Sequence, residues 1–260
     1  MSLSAFLNAR GAPPPLALAL RRGSGRPRVC RGVGPQALLA GRGLTLGLQA
    51  LALLAFGTAV GGQTTPTAQD VAASLQKKYD TIRDFSTDFV HTHEGGVLKR
   101  KREERGTLLV KKPGKMRWNY KAPDEKVFVS DGVRLTQYFA DENRALISAV
   151  PENDQAAVQF LAGRGSLARD FTVSFGQNGT ATSWTLRLEP KQSQQDYDWL
   201  EITAARDTFL LQSLTVAEKQ GSRSTFVFTN FKENPGLTDK TFAFAIPRGA
   251  EVTNAGPVKR

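Results

Sequence analysis

Between the turn at Pro113-Gly114 and the turn at Asp131-Gly132 lies the stretch that most restricts how this chain can fold. Met116, Trp118 and Tyr120 alternate there with Arg117 and Asn119. Successive side chains of a strand point to opposite faces. A period of two therefore puts three large apolar groups on one side and the polar groups on the other. Pro123 cannot donate to a ladder, so residues 121–124 are expected to form a loop. Residues 127–133 then read as the returning arm, closing at Asp131-Gly132, a strong two-residue turn signal. The expectation is a hairpin ladder with an unbroken apolar stripe along one face.

The rest of the chain carries the same pattern. Residues 70–83 read as a helix, with Val71, Leu75 and Ile82 near one face. Strands are expected over 85–91, 106–110, 134–139, 144–150, 171–175, 183–189, 199–204, 210–218 and 224–231, with 237–246 as the closing strand. Residues 153–162 read as a short helix stopped by Gly163. About ten short strands with regularly spaced turn signals, such as Asn178-Gly179, indicate a mainly β chain. Its antiparallel sheet is expected to bend into a sandwich or barrel.

The first 62 residues read as a leader. Their charged residues are Arg10, Arg21, Arg22, Arg26, Arg28, Arg31 and Arg42, and the first acidic residue of the chain is Asp70. Residues 44–60 are apolar and end in the small residues Ala59, Gly61 and Gly62. A basic region, an apolar region and a small-residue end make a secretory signal peptide. A spanning anchor needs roughly 20 apolar residues, which this run does not reach. Arg21-Arg22 is not closely followed by an apolar run, as a twin-arginine signal would require. The basic part is long for a signal peptide, so the start is expected nearer Arg42. Residues 63–260 are expected to form one domain.

Removing the leader changes what the charge means. The whole chain carries a formal +11, and the leader holds seven arginines and no acid, which leaves about +4. That is an ordinary mildly basic surface and does not point to nucleic acid. Cys30, the only cysteine, lies in the leader ahead of the apolar run. It is not placed as a lipid-anchoring cysteine, and the remaining chain has no thiol or disulfide chemistry. A soluble secreted domain is expected.

Catalytic signals are weak. The chain contains no Gly-x-Ser-x-Gly elbow, phosphate loop or metalloprotease helix. Gly163-Arg164-Gly165-Ser166-Leu167-Ala168 loosely fits a dinucleotide fingerprint but follows a helix rather than a strand, and is read as a loop. His91 and His93, two apart on a strand, share a face and are candidate zinc ligands with Glu94 nearby. No further histidine exists to complete them, so ordinary polar residues at a strand end are the simpler reading. A zinc-dependent hydrolase using His91 and His93 is the alternative that they would support. Asn178-Gly179-Thr180 is a sequon, but a turn explains it. The basic run Lys99–Arg102, with Arg105, Glu103 and Glu104, reads as a solvated hairpin; a docking patch for an acidic partner or anionic membrane is the other reading. No cofactor, metal or catalytic residue is assigned.

From Ala68 to Val252 the chain resembles the outer-membrane lipoprotein carrier family of the LolA type. The resemblance rests on the first helix followed by Phe85-x-x-x-Phe89, then Gly106-x-Leu108-x-Val110-Lys111-x-Pro113 with Arg117-Trp118-x-Tyr120 and Pro123. Val129-Ser130-Asp131-Gly132 with Leu135 and Tyr138 comes next. Phe242-x-Phe244-x-x-Pro247-x-Gly249-x-x-Val252 ends it. The resemblance implies an unclosed antiparallel barrel whose apolar cavity is covered by helices. It implies a monomeric periplasmic chaperone that takes triacylated lipoproteins from an inner-membrane ABC transporter and passes them to an outer-membrane receptor. It also implies that Lys112 stands where a basic residue helps open the lid. Arginine is usual there, and lysine keeps the charge but lacks the planar fork. Met116 falls where a large apolar residue lies near the cavity mouth, and Trp118 on the tryptophan position. His91 replaces a common glutamine, and Thr136 a common aromatic residue.

On the residues alone, the stripe Met116, Trp118, Tyr120 could face a closed core or an apolar ligand. With the resemblance, the ligand-binding set becomes Met116, Trp118, Tyr120 and Phe89, with Lys112 at the lid. A buried methylene is worth about 0.8 kcal/mol. Three acyl chains therefore represent tens of kcal/mol, far more than a releasable complex shows. The expectation is that the helical lid fills the empty cavity and that cargo must displace it. A lipid or lipoprotein sensor, or a carrier of another lipid, is the runner-up in the same fold.

Overall fold

A computed structural model describes residues 65–95, 100–150, 160–219 and 221–255. The leader, Lys99 and residues 153–159 of the expected short helix lie outside the described residues. Twelve strands form one sheet. They are β1 (Asp84–Glu94), β2 (Lys101–Lys111), β3 (Lys115–Ala122), β4 (Lys126–Asp131), β5 (Arg134–Phe139), β6 (Arg144–Ala149), β7 (Phe171–Phe175), β8 (Ser183–Pro190), β9 (Tyr197–Ala205), β10 (Leu211–Glu218), β11 (Arg223–Glu233) and β12 (Glu251–Ala255). Their order is β12-β6-β5-β4-β3-β2-β1-β11-β10-β9-β8-β7, so β12 and β7 are edges and the sheet is not closed. Each neighbouring pair is antiparallel except β12 with β6, which is parallel. This is the expected mainly β, unclosed antiparallel barrel.

Helix α1 (Ala68–Thr81) starts with a reciprocal cap. The Thr67 hydroxyl accepts from the Asp70 amide, and the Asp70 carboxylate accepts from the Thr67 amide. Val71, Ala72, Leu75 and Tyr79 recur at helical spacing and are buried on one face. The helix packs against α2 (Leu167–Asp170) and the β7–β8 edge. It ends two residues before the expected Arg83. Ile82 is extended, and its side chain still joins the core.

Two expectations fail for reasons of pairing. Residues 121 and 122 remain in β3, because Pro123 lies just beyond the last residue that the ladder needs. The segment 237–246 is not a strand. Its alternating Phe242, Phe244 and Ile246 look like one, but the segment crosses the outer face of β3 and β4, where it meets no free edge. It forms a 3-10 helix at Asp239–Phe242 instead. Asp239 bridges Lys111 at 2.8 Å and Lys115 at 3.0 Å, and Arg117 donates to the Thr241 carbonyl at 3.1 Å. Phe242 is buried there. The free edge of β6 is taken by β12.

Candidate functional site

The inner face of the sheet, on which α1 lies, is organised in rows by strand register. Phe85, Val110, Met116, Ser130 and Leu135 form the first row. Leu108, Trp118, Phe128 and Gln137 continue the second from Thr87. Phe89, Gly106, Tyr120, Lys126 and Phe139 make the third, and His91 with Glu104 the fourth. Across the β1–β11 ladder, Phe228 stands opposite Phe89 and Phe226 opposite His91.

The middle rows are aromatic. The Phe89 ring lies 5.1 Å from Trp118 and 4.9 Å from Tyr120, edge-on to both. Gly106 makes this possible. A Cβ there would stand 2.1 Å from the Asn119 carbonyl oxygen and 2.8 Å from the Phe89 ring, so only glycine leaves room for the ring. All four apolar residues of the expected ligand set are therefore brought together on one face. Met116 is 4 %, Trp118 2 %, Tyr120 2 % and Phe89 2 % exposed. The Trp118 Nε1 and the Tyr120 hydroxyl have no hydrogen-bond partner among the described residues, and burial raises the Tyr120 pKa well above its ordinary value.

Beside the first row the sheet is closed by the helix and by the segment leading into α2. Lys112 follows β2 and is half-buried. Its ammonium donates to the Tyr79 carbonyl at the end of α1 and lies 5.4 Å from the Tyr79 ring centre. Burial lowers its pKa, and Asp80 opposes the shift. Gly163 sits at φ +73 against the Lys112 stem, where a Cβ would come within 2.6 Å. It follows the helical residues Phe160 and Leu161, as a stop signal should. The Gly114 amide donates to the Ala162 carbonyl at 3.0 Å, and Arg164 donates to the Gly132 carbonyl at 3.0 Å. The Tyr79 ring packs on Phe85, Phe160 and Phe231. Met116, expected near the cavity mouth, is covered in the closed protein.

On β1, β2 and β4 the far end of this face has the opposite character. Lys126 donates to both oxygens of Glu104 at 2.9 Å, and Arg102 reaches the same carboxylate at 3.2 Å and Asp124 at 2.5 Å. Glu104 is 4 % exposed. Burial pushes its pKa up, but His91, Lys126 and Arg102 outweigh that and hold it at about 2. His91 is fully buried and stacked on Phe226 at 4.2 Å. Its Nδ1 lies 3.4 Å from Glu104, without the alignment of a hydrogen bond. Burial lowers its pKa, against the pull of Glu104. His93, on the same face, contacts Ser224 at 3.2 Å, and Ser224 in turn donates to Glu218. Among the described residues no group of three or more histidine, cysteine or acidic side chains is placed to hold a metal ion.

Sequence reasoning misses this cluster. The basic run reads as a solvated hairpin, but residues 101–105 belong to β2. Arg102 and Glu104 sit on its inner face, in phase with Gly106, Leu108 and Val110. Extending that alternation backward finds Glu104, and extending Phe128 and Ser130 backward finds Lys126.

The carrier-family model described as "Outer membrane lipoprotein carrier protein LolA" matches residues 80–245. The chain belongs to this family. An outer-membrane lipoprotein carrier protein of Pseudomonas entomophila is 29% identical over 188 residues, covering 71% of this chain and 87% of the relative. One from Pseudomonas putida strain W619 is 30% identical over 152 residues, covering 58% of this chain and 70% of the relative. Among solved structures, a LolA superfamily protein of Nitrosomonas europaea matches with a TM-score of 0.38 and 14% identity, over 69% of this chain and 99% of the other. The family is one of carriers, and no described helix is long and apolar enough to cross a membrane.

Proposed function

We propose that this chain is a periplasmic carrier that holds the acyl chains of lipoproteins against the inner face of its open barrel. It collects them from an inner-membrane ABC transporter and delivers them to the outer membrane, through a receptor there. In this reading the leader is removed during export, and residues 63–260 act as one soluble, monomeric domain. The observation that carries it is the inner face itself, where Phe85, Phe89, Leu108, Val110, Met116, Trp118 and Phe128 form a continuous apolar surface in one core cluster with the buried face of α1, whose Tyr79 ring meets Phe85. The end of that roof is tied by the bond from the Lys112 ammonium to the Tyr79 carbonyl. A roof held mainly by apolar packing can be exchanged for hydrocarbon, since acyl chains supply the same kind of contact. Filling the empty site with its own helix offsets most of the gain from burying the chains, so the complex stays weak enough to release its load.

The roles of the site residues follow. Met116, Trp118, Tyr120 and Phe89 contact hydrocarbon once α1 moves, and Lys112 holds the closed state. No step of this cycle requires a catalytic group. The test is mass spectrometry of the protein isolated from the periplasm of its own host, together with sequencing of its first residues. Lipid-modified polypeptides should co-purify, and the chain should begin near Gly61 to Thr65. Isolation without any acylated partner, or with a phospholipid as the sole load, would sink the lipoprotein reading.

A further inference from the structure

On β1, β2 and β4 the apolar lining stops abruptly, while β8 to β11 stay apolar at the same depth. Along β2 the inward residues run Val110, Leu108, Gly106, Glu104 and Arg102; along β1 they run Phe85, Thr87, Phe89, His91 and His93; β4 presents Ser130, Phe128 and then Lys126. Hydrocarbon packing therefore gives way, within one row, to a buried ion cluster. We propose that the Glu104–Lys126–His91 cluster is the floor of the acyl-chain site and sets the length of chain that the protein accepts. The proposal rests on the carrier reading above.

The physical grounds are three. The first is that the cluster is rigid. Glu104 takes two bonds from Lys126 at 2.9 Å, a contact from Arg102 at 3.2 Å, and the near approach of His91. Lys126 also lies 4.3 Å from the Tyr120 ring centre, which fixes its stem against the third row. A chain end that pushed between these groups would part desolvated charges, and leaving one of them unpaired is costly. The second is that the Tyr120 hydroxyl and the His91 ring nitrogens, at the boundary, are buried with no aligned hydrogen-bond partner among the described residues. A methyl group pressed on the Tyr120 hydroxyl would break no polar contact. The third is that the cluster separates the apolar rows from solvent at this end. Beyond it Arg102, Asp124 and His93 are partly exposed, so a chain lying along β1, β2 and β4 has no apolar surface to follow on that wall.

The depth available follows from strand geometry. Val110 in the first row and Glu104 in the fourth are six residues apart on β2. At roughly 3.3 Å per residue this is about 20 Å, or on the order of fifteen extended methylenes. Chains longer than this should gain nothing from their extra carbons.

A series of lysophosphatidylcholines, from decanoyl to arachidoyl, tests the floor by displacement of a bound fluorescent naphthalene dye. Their bulky headgroup keeps them from entering head first. In the parent protein, affinity should rise with each added pair of carbons and then level off. In Glu104→Leu/Lys126→Met the levelling should move to longer chains, with about a tenfold gain for the longest and little change for the shortest. The same levelling point in both proteins would overturn the proposal. A second measurement needs no variant. A lysophosphatidylcholine with a diazirine at its chain terminus should label Tyr120 or Phe128 in the parent protein. Label on His93 or Ser224 would show the chain passing the cluster and would also overturn it. If no lipid of the series displaces the dye from the parent, the acyl-chain reading itself fails, and the floor with it.

Discussion

The first and fourth rows lie on the same strands, face the same way and are about equally buried, yet they are held by opposite physics. At the lid end, Val110, Met116, Phe85 and Tyr79 pack through apolar contact, with Lys112 as a charged tie at the margin. At the far end, Glu104, Lys126 and Arg102 are held by charge pairing, with the His91 ring 3.4 Å from Glu104. Apolar contacts are non-directional and can be exchanged for others of the same kind, whereas a desolvated ion pair has no substitute partner. In the proposed carrier cycle, the lid end is the part to be remade and the far end the part to stay as it is. A carrier needs both, since one part of the barrel has to hold its shape while another opens.

The sharpest way to break that contrast is to unpair the far end. Glu104→Leu leaves Lys126 buried without its carboxylate and should cost about 3–5 kcal/mol. Adding Lys126→Met should recover most of it, because two apolar residues replace the pair without stranding a charge. Urea unfolding of the single and double variants checks both numbers. If the single variant is as stable as the double, the pair is not the anchor inferred here.

The same end should make the protein sensitive to acid. Glu104 sits at about 2 in the folded chain against 4.5 for a free glutamate. Its stabilising contribution is complete above about 4.5 and is lost as pH falls toward 2, because the unfolded chain takes up the proton first. His91 acts in the same sense. Its folded pKa lies below the ordinary 6.5, so protonation also favours the unfolded chain as pH falls. Unfolding free energy measured across this range should fall with acid. Glu104→Leu/Lys126→Met should lose most of the slope below 4.5 that Glu104 supplies.

Met116→Glu probes the lid end. The residue is covered in the closed protein, so an unpaired carboxylate there should cost about 2–3 kcal/mol. The loss should stop short of unfolding, since lifting α1 and the segment from Phe160 to Gly163 lets water reach the charge. Circular dichroism melting should show a lowered but cooperative transition, and lipoprotein release from spheroplasts should fail. Release at the parent level would place Met116 outside the site.

Lys112→Met should have the smallest effect, about 1 kcal/mol for the lost bond to the Tyr79 carbonyl. It should appear as faster amide exchange in the last turn of α1, with the β1–β4 amides unchanged. A uniform change over the whole chain would mean that the tie is not local to the lid.

Much of the fold is legible in the order of the residues. The turns at Pro113-Gly114 and Asp131-Gly132 and the alternation of Met116, Trp118 and Tyr120 are local properties, and each strand they imply is present. The same holds for the helix, expected over 70–83 and found at Ala68–Thr81, and for Gly163 as a stop. Local pattern also misleads. Phe242 and Phe244 alternate as a strand would, but a strand needs an edge to pair with, and which edges are free depends on the order of all twelve strands.

The strand expected over 237–246 is absent, and β12 is not among those expected. By itself, the sequence determined most of the strands from β1 to β11, their turns, the face on which the aromatic residues gather, and the family. Each of these depends on residues a few positions apart or on motifs read in order along the chain. Only the tertiary structure decided that Glu104 and Lys126 are partners. They lie 22 positions apart on strands separated by β3, and they meet on its inner face beside Tyr120. A charged residue in a sequence looks solvated until its neighbours across the sheet are known. Whether it is buried depends on the counter-charge that the fold brings to it.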